Sequence, residues 1–125
     1  MKEVLIDINI IIEYLRTGKG LLPKVYDEYK MKIAASTFTE LLASETFKDE
    51  QLEKEVIEFA DKYFDVVDID HDLAKEAARI IRENETTMAV AFIAAVARSK
   101  ELPLVTDEPK VFEGIEGVEV MEFED

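Results

Sequence analysis

Val4-Leu5-Ile6-Asp7-Ile8-Asn9-Ile10-Ile11-Ile12-Glu13-Tyr14-Leu15 is an apolar run near the N-terminus, broken by one acid and one amide. Val4, Leu5 and Ile6 read as a short strand buried on both faces, and Asp7 comes where that strand stops. Ile8, Ile11, Ile12 and Leu15 then recur at helical spacing, so the period changes from strand to helix across Asp7 and Asn9. A carboxylate at that junction has two readings. It caps the first turn of the helix by accepting its free N–H groups, or it is a ligand-binding group at the carboxyl end of a strand in an open α/β sheet.

Outward from this stretch, 125 residues give room for one domain, 1–125, and a hydrophobic share of 48% is enough to fill one core. The absence of cysteine excludes disulfides, thiolate metal sites and a cysteine nucleophile. Asp7 cuts the only apolar run near Met1, so neither a signal peptide nor a membrane span is expected, and a cytoplasmic protein is. The net charge of −14 repels a polyanion unless metal ions or a local basic patch intervene. Basic residues do gather early, at Arg16, Lys19, Lys24, Lys30 and Lys32.

A second helix is expected over 21–29, with Pro23 tolerated in its first turn. Lys32-Ile33-Ala34-Ala35 is a second strand, after which a helix restarts at Ser36. There Thr37 and Glu40 form the S/T-x-x-E capping-box pattern, which gives Glu40 a structural job. Residues 47–49 read as a loop, and Leu52, Val56, Phe59, Ala60 and Tyr63 as a core-facing helical stripe. A third strand is expected over 64–69, then a helix capped by Asp70, a loop over 82–86, and a further cap at Thr86 or Thr87. The helix over 88–99 is apolar nearly all round and must be central. Strands follow at 103–106 and, at an edge, 118–121. The only histidine, His71, has no His or Cys nearby to complete a ligand set. Strands separated by helices predict an α/β fold of three layers, α/β/α, with a central parallel sheet.

In such a sheet all strand C-termini share one edge. Asp7, Glu40, Asp107 and Glu108 therefore converge there, without Lys or Arg among them. Gathered carboxylates repel unless a cation intervenes, and hard oxygen ligands suit Mg²⁺ or Mn²⁺. The chemistry that follows is metal-assisted phosphodiester hydrolysis. The structural alternative makes Asp7 a cap, Glu40 a capping-box acid and Asp107 a turn residue.

Four blocks carry a family resemblance: Val4-Leu5-Ile6-Asp7-Ile8-Asn9, Ser36-x-x-Thr39-Glu40-Leu41, Ala91-Phe92-Ile93-Ala94-Ala95 and Leu102-Pro103-Leu104-Val105-Thr106-Asp107-Glu108. In order and spacing they resemble the motifs of PIN domains, particularly the VapC-like ribonucleases of toxin–antitoxin pairs. The resemblance implies a Mg²⁺- or Mn²⁺-dependent endoribonuclease acting on single-stranded or structured RNA, an antitoxin partner and a homodimer. It matches Asp7 and Glu40 to the first two family acids, Asp107 or Glu108 to the last, and Asn9 or Thr39 to polar support.

One family acid is missing. At the start of the helix that carries the Ala91-Phe92-Ile93-Ala94-Ala95 block the family has a metal-binding Asp, and the aligned residue here is Val90. Glu83 and Glu85 lie upstream and would have to reach in from outside the helix. Two readings follow: an active nuclease built on Asp7, Glu40 and Asp107 or Glu108, or a degenerate PIN domain that binds protein or RNA without cutting. A receiver-like phosphoacceptor, with Asp68 or Asp70 and Lys110, lacks the acidic pair such a domain carries after its first strand.

Overall fold

The computed structural model describes residues 1–44 and 49–123. The period change at Asp7 is where the first strand ends: β1 spans Glu3–Ile6 and α1 spans Ile8–Thr17. There follow α2 (Leu22–Glu28), β2 (Lys30–Ala34), α3 (Ala35–Ala43), α4 (Glu50–Tyr63), β3 (Asp65–Val67), α5 (His71–Asn84), α6 (Met88–Ser99), β4 (Leu104–Val105) and α7 (Pro109–Phe112). The four strands pair in parallel in the order β3-β2-β1-β4. β1 is thus internal and covered on both faces, so Val4, Leu5 and Ile6 are apolar without alternation and have no exposed surface.

Successive strand residues feed opposite cores, as the two-residue period of a strand requires. Val4, Ile6, Ile33 and Val105 pack with Ile10, Val25, Leu41 and Val56 under α1 to α4. Leu5, Ala34 and Leu104 pack with Ala77, Ile80 and Ala94 under α5 and α6. The architecture is the expected three-layer α/β/α arrangement. Four of the six buried residues of α6 are alanines, and these small side chains let α5 come close to it. Among the described residues no helix is long and apolar enough to cross a membrane.

Several local expectations change. The helix carrying Glu40 begins one residue early, at Ala35, and its N-cap is Ala34, which has no side-chain cap bond. β2 runs into α3 without a loop, so Thr37 is buried inside the first turn and no capping box forms. The loop expected over 82–86 is shorter, because α5 continues to Asn84, whose Nδ2 donates to the Ile80 carbonyl at 3.1 Å. Glu85 then takes the left-handed turn at φ 51° that ends the helix. Asp70 and Thr87 cap α5 and α6 as anticipated, accepting from the N–H groups of Leu73 and Val90. The fifth strand reduces to a single parallel bridge, Leu104 to Val120, at the β4 edge. Of the loop expected over 47–49, residues 47 and 48 lie outside the described residues.

Candidate functional site

The carboxyl ends of β1, β2 and β4 deliver Asp7, the start of α3 and the Thr106-Asp107-Glu108 turn to one edge of the sheet. Asp7 has both roles open to a carboxylate at this junction. It is the N-cap of α1, with Oδ1 accepting the Ile8 N–H at 2.8 Å. Its Oδ2 accepts the Thr106 hydroxyl at 2.7 Å. The same hydroxyl oxygen accepts the Glu108 N–H at 3.1 Å. Thr106 is only 7% exposed, so it ties the end of β1 to the turn after β4 from inside the protein. Each Asp7 oxygen has a second lone pair, which leaves acceptor capacity toward the cleft.

A cleft of about 140 Å³ opens here. Its polar lining comes from Asp7, Asn9, Glu40 and Glu108, and its apolar lining includes Val90 and Ile93 of α6 and Val111 and Phe112 of α7. Partial burial first, and the Asp7 charge second, hold the Glu40 carboxyl above the usual carboxylate range. The Asp7 charge thus adds to an effect that burial leads. No Lys or Arg pairs with Asp7, Glu40 or Glu108 among the described residues.

The remaining sequence candidates fall around this centre. Asp107 is exposed and outside the cleft lining, its Oδ1 accepting Asn9 Nδ2 at 3.4 Å. The Thr39 hydroxyl is turned back to the Ala35 carbonyl at 3.1 Å. Glu83 and Glu85 are exposed and do not line the cleft, whereas Val90 does. His71 is exposed at the first position of α5, and the Asp70 side chain is engaged as that helix's cap. The residue that sequence reasoning left without a role is Thr106. The signal available was its position two residues before Glu108, where a hydroxyl can bond the backbone N–H two positions on.

Among the described residues no three His, Cys, Asp or Glu side chains form a metal-binding group. A closed cage of acids is therefore not built. The donor set does suit a hydrated Mg²⁺ or Mn²⁺, which needs only one or two carboxylates and completes its shell with water and substrate phosphate. Asp7 and Glu40 both line the cleft, and the Asp7 charge is the second cause, after burial, that raises the Glu40 carboxyl. A larger open cleft of about 660 Å³, lined in part by Tyr26, Tyr29, Lys30, Tyr63 and Asp65, lies at the start of β2 and β3. Its Lys30 and Asp65 neutralise each other at 3.3 Å, and it sits at the wrong end of the strands for an α/β ligand site.

The PIN domain family model matches residues 4–116. No curated protein matches the sequence. Among solved structures, a toxin–antitoxin complex from Klebsiella pneumoniae superposes with a TM-score of 0.77 at 27% identity, covering 98% of this chain and 99% of that one. DNA-bound VapBC from Salmonella typhimurium gives 0.83 at 22% identity, over 97% and 98%. VapBC-1 from nontypeable Haemophilus influenzae gives 0.79 at 16% identity, over 96% and 97%. With its sheet order, its acids at one strand edge and a family match over nearly the whole length, the chain belongs to the PIN domain family.

Proposed function

We propose that the chain is a VapC-like endoribonuclease that hydrolyses RNA phosphodiesters with Mg²⁺ or Mn²⁺ held by Asp7 and Glu40, as the toxin of a toxin–antitoxin pair. The observation that carries this reading is that Asp7, Glu40 and Glu108 line one cleft and that none of them pairs with a Lys or Arg among the described residues. When bound, such an ion lowers the pKa of the attacking water and offsets charge on the phosphoryl oxygens. The protein's own part is positioning. Ile8 N–H and the Thr106 hydroxyl fix both oxygens of Asp7, α3 brings Glu40 to the same cleft, and Thr106 anchors the backbone of Glu108 at the cleft wall. Asn9 ties the mouth of the cleft to Asp107. Water oxygen bonds to phosphorus, the bond to the leaving ribose oxygen breaks, and that oxygen takes up a proton.

An antitoxin partner is supported by the toxin–antitoxin assemblies among the structural neighbours. A second reading, a PIN domain that binds without cutting, draws support from Val90 in the cleft lining and from the lack of a three-acid group among the described residues. Cleavage of single-stranded RNA in Mn²⁺ separates the two. The nuclease reading expects cutting that Asp7→Asn abolishes; an intact protein that leaves RNA whole in Mn²⁺ supports the second.

A further inference from the structure

Every phosphate of an RNA strand is charged, whereas the polar lining of the cleft is three carboxylates and an amide. An ion on Asp7 and Glu40 answers for the phosphate that reacts. Its neighbours along the strand still meet a chain of net charge −14, so a cation of the protein has to lie on their path. The basic residues that gather early in the sequence are not on it. Arg16 lies about 12 Å along the axis of α1 from Ile8, the residue after Asp7. Lys30 opens β2 at the opposite edge of the sheet and pairs with Asp65, and Lys32 pairs with Glu3. Later in the chain Lys75 pairs with Asp72, and Arg79 and Arg98 share Glu76.

Lys110 is placed differently. It stands between Glu108 and Val111, which both line the cleft, and no other Lys or Arg lies within two positions of a lining residue. α7 is a single turn pinned to the core by Phe112, which is 3% exposed. Two steps along a helix rotate the side-chain direction by about 200°, so Lys110 projects from the outer side of that turn, roughly opposite the buried Phe112. It is exposed and has no ion pair among the described residues. An ammonium on a flexible four-carbon stem meets a phosphate at such a rim as a hydrated point charge, with no cost of burial. We infer that Lys110 holds the RNA phosphate next to the reacting one, on the rim that α7 raises beside Glu108. The inference rests on the proposal that RNA is the substrate, and it deepens that proposal by naming a residue that positions the strand, whether or not the strand is cut.

The test measures binding of two fluorescent single-stranded RNAs of different base composition by anisotropy, in Ca²⁺ and over a series of KCl concentrations, with a gel to show that the strands stay whole. Lys110→Ala is expected to weaken both RNAs about fivefold at low salt. It is also expected to flatten the slope of log affinity against log salt by about 0.7, the signature of one lost phosphate contact on a single strand. Lys110→Arg is expected to keep both values near those of the unmodified protein. Lys100→Ala removes the same charge from the far end of α6 and is expected to change neither. Unchanged affinity and slope in Lys110→Ala, a loss on one RNA alone, or an equal loss in Lys100→Ala overturns the inference and leaves the RNA reading standing. An unmodified protein that binds neither RNA overturns both.

Discussion

The Thr106 hydroxyl donates a 2.7 Å hydrogen bond to Oδ2 of Asp7, joining two residues 99 positions apart at the carboxyl ends of neighbouring strands. Because the same oxygen accepts the Glu108 N–H, one buried hydroxyl sets both the rotamer of the leading acid and the course of the turn that carries another. Side chains that orient metal-binding carboxylates typically matter ten- to a hundredfold. Thr106→Val is therefore expected to lower Mn²⁺ affinity or RNA cleavage by roughly tenfold or more and to cost about 1 kcal/mol of stability in urea denaturation. Thr106→Ser, which keeps the hydroxyl, is expected to restore most of both; an equally impaired Ser variant would point to packing instead.

Glu40 links the site to pH. Its folded carboxyl lies above the usual range through partial burial and then the charge of Asp7, so the folded protein binds its proton more tightly than the unfolded chain does. Stability consequently falls as pH rises from the ordinary carboxylate pKa through the raised one. Glu40→Gln is expected to raise the melting temperature at pH 7 in metal-free buffer, with the advantage disappearing below the ordinary carboxylate range. Thermal melts of both proteins across pH check this, and an advantage that grows on acidification would contradict it.

Val90 lines the cleft from the first turn of α6. Val90→Asp adds a fourth carboxylate to a cleft that Asp7, Glu40 and Glu108 already line. Without metal the variant is expected to melt lower than the parent at pH 7, because like charges and a half-buried acid both oppose ionisation. Saturating Mn²⁺ is expected to reverse the order, since a ligand that binds only the folded state stabilises in proportion to its affinity. Differential scanning calorimetry with and without Mn²⁺ reads both halves.

The contact between α5 and α6 depends on small residues. Ala94 is fully buried in the core under α5 and α6, so Ala94→Leu is expected to cost about 1–3 kcal/mol by overpacking. Guanidinium denaturation measures it, and an unchanged midpoint would mean that this core holds unfilled space.

Much of this was legible in the sequence. The change of period at Asp7 marks the first strand and helix, and the apolar circumference of α6 marks its central place, because burial on all sides leaves no polar face to write. That Val90 matters was legible only through the family resemblance, and the structure places it in the cleft lining. Less legible were features decided by single hydrogen bonds. The start of α3 was misplaced because β2 enters it directly, leaving Ala34 as an N-cap without a side-chain signal. Which of Asp107 and Glu108 turns into the cleft depends on the bond between Thr106 and the Glu108 backbone, and a one-residue rotation of a turn has no periodicity to betray it. Thr106 itself is a buried hydroxyl at a strand end, indistinguishable in sequence from a turn former.

The central claim is that two carboxylates, without the acid replaced by Val90, make a working divalent-ion site. Isothermal titration of Mn²⁺ into the protein, Asp7→Asn and Val90→Asp tests it most directly. The account expects one ion per chain in the unmodified protein, loss of that binding in Asp7→Asn, and tighter binding of the same single ion in Val90→Asp. Heat of binding seen only in Val90→Asp, with none in the unmodified protein, would contradict it.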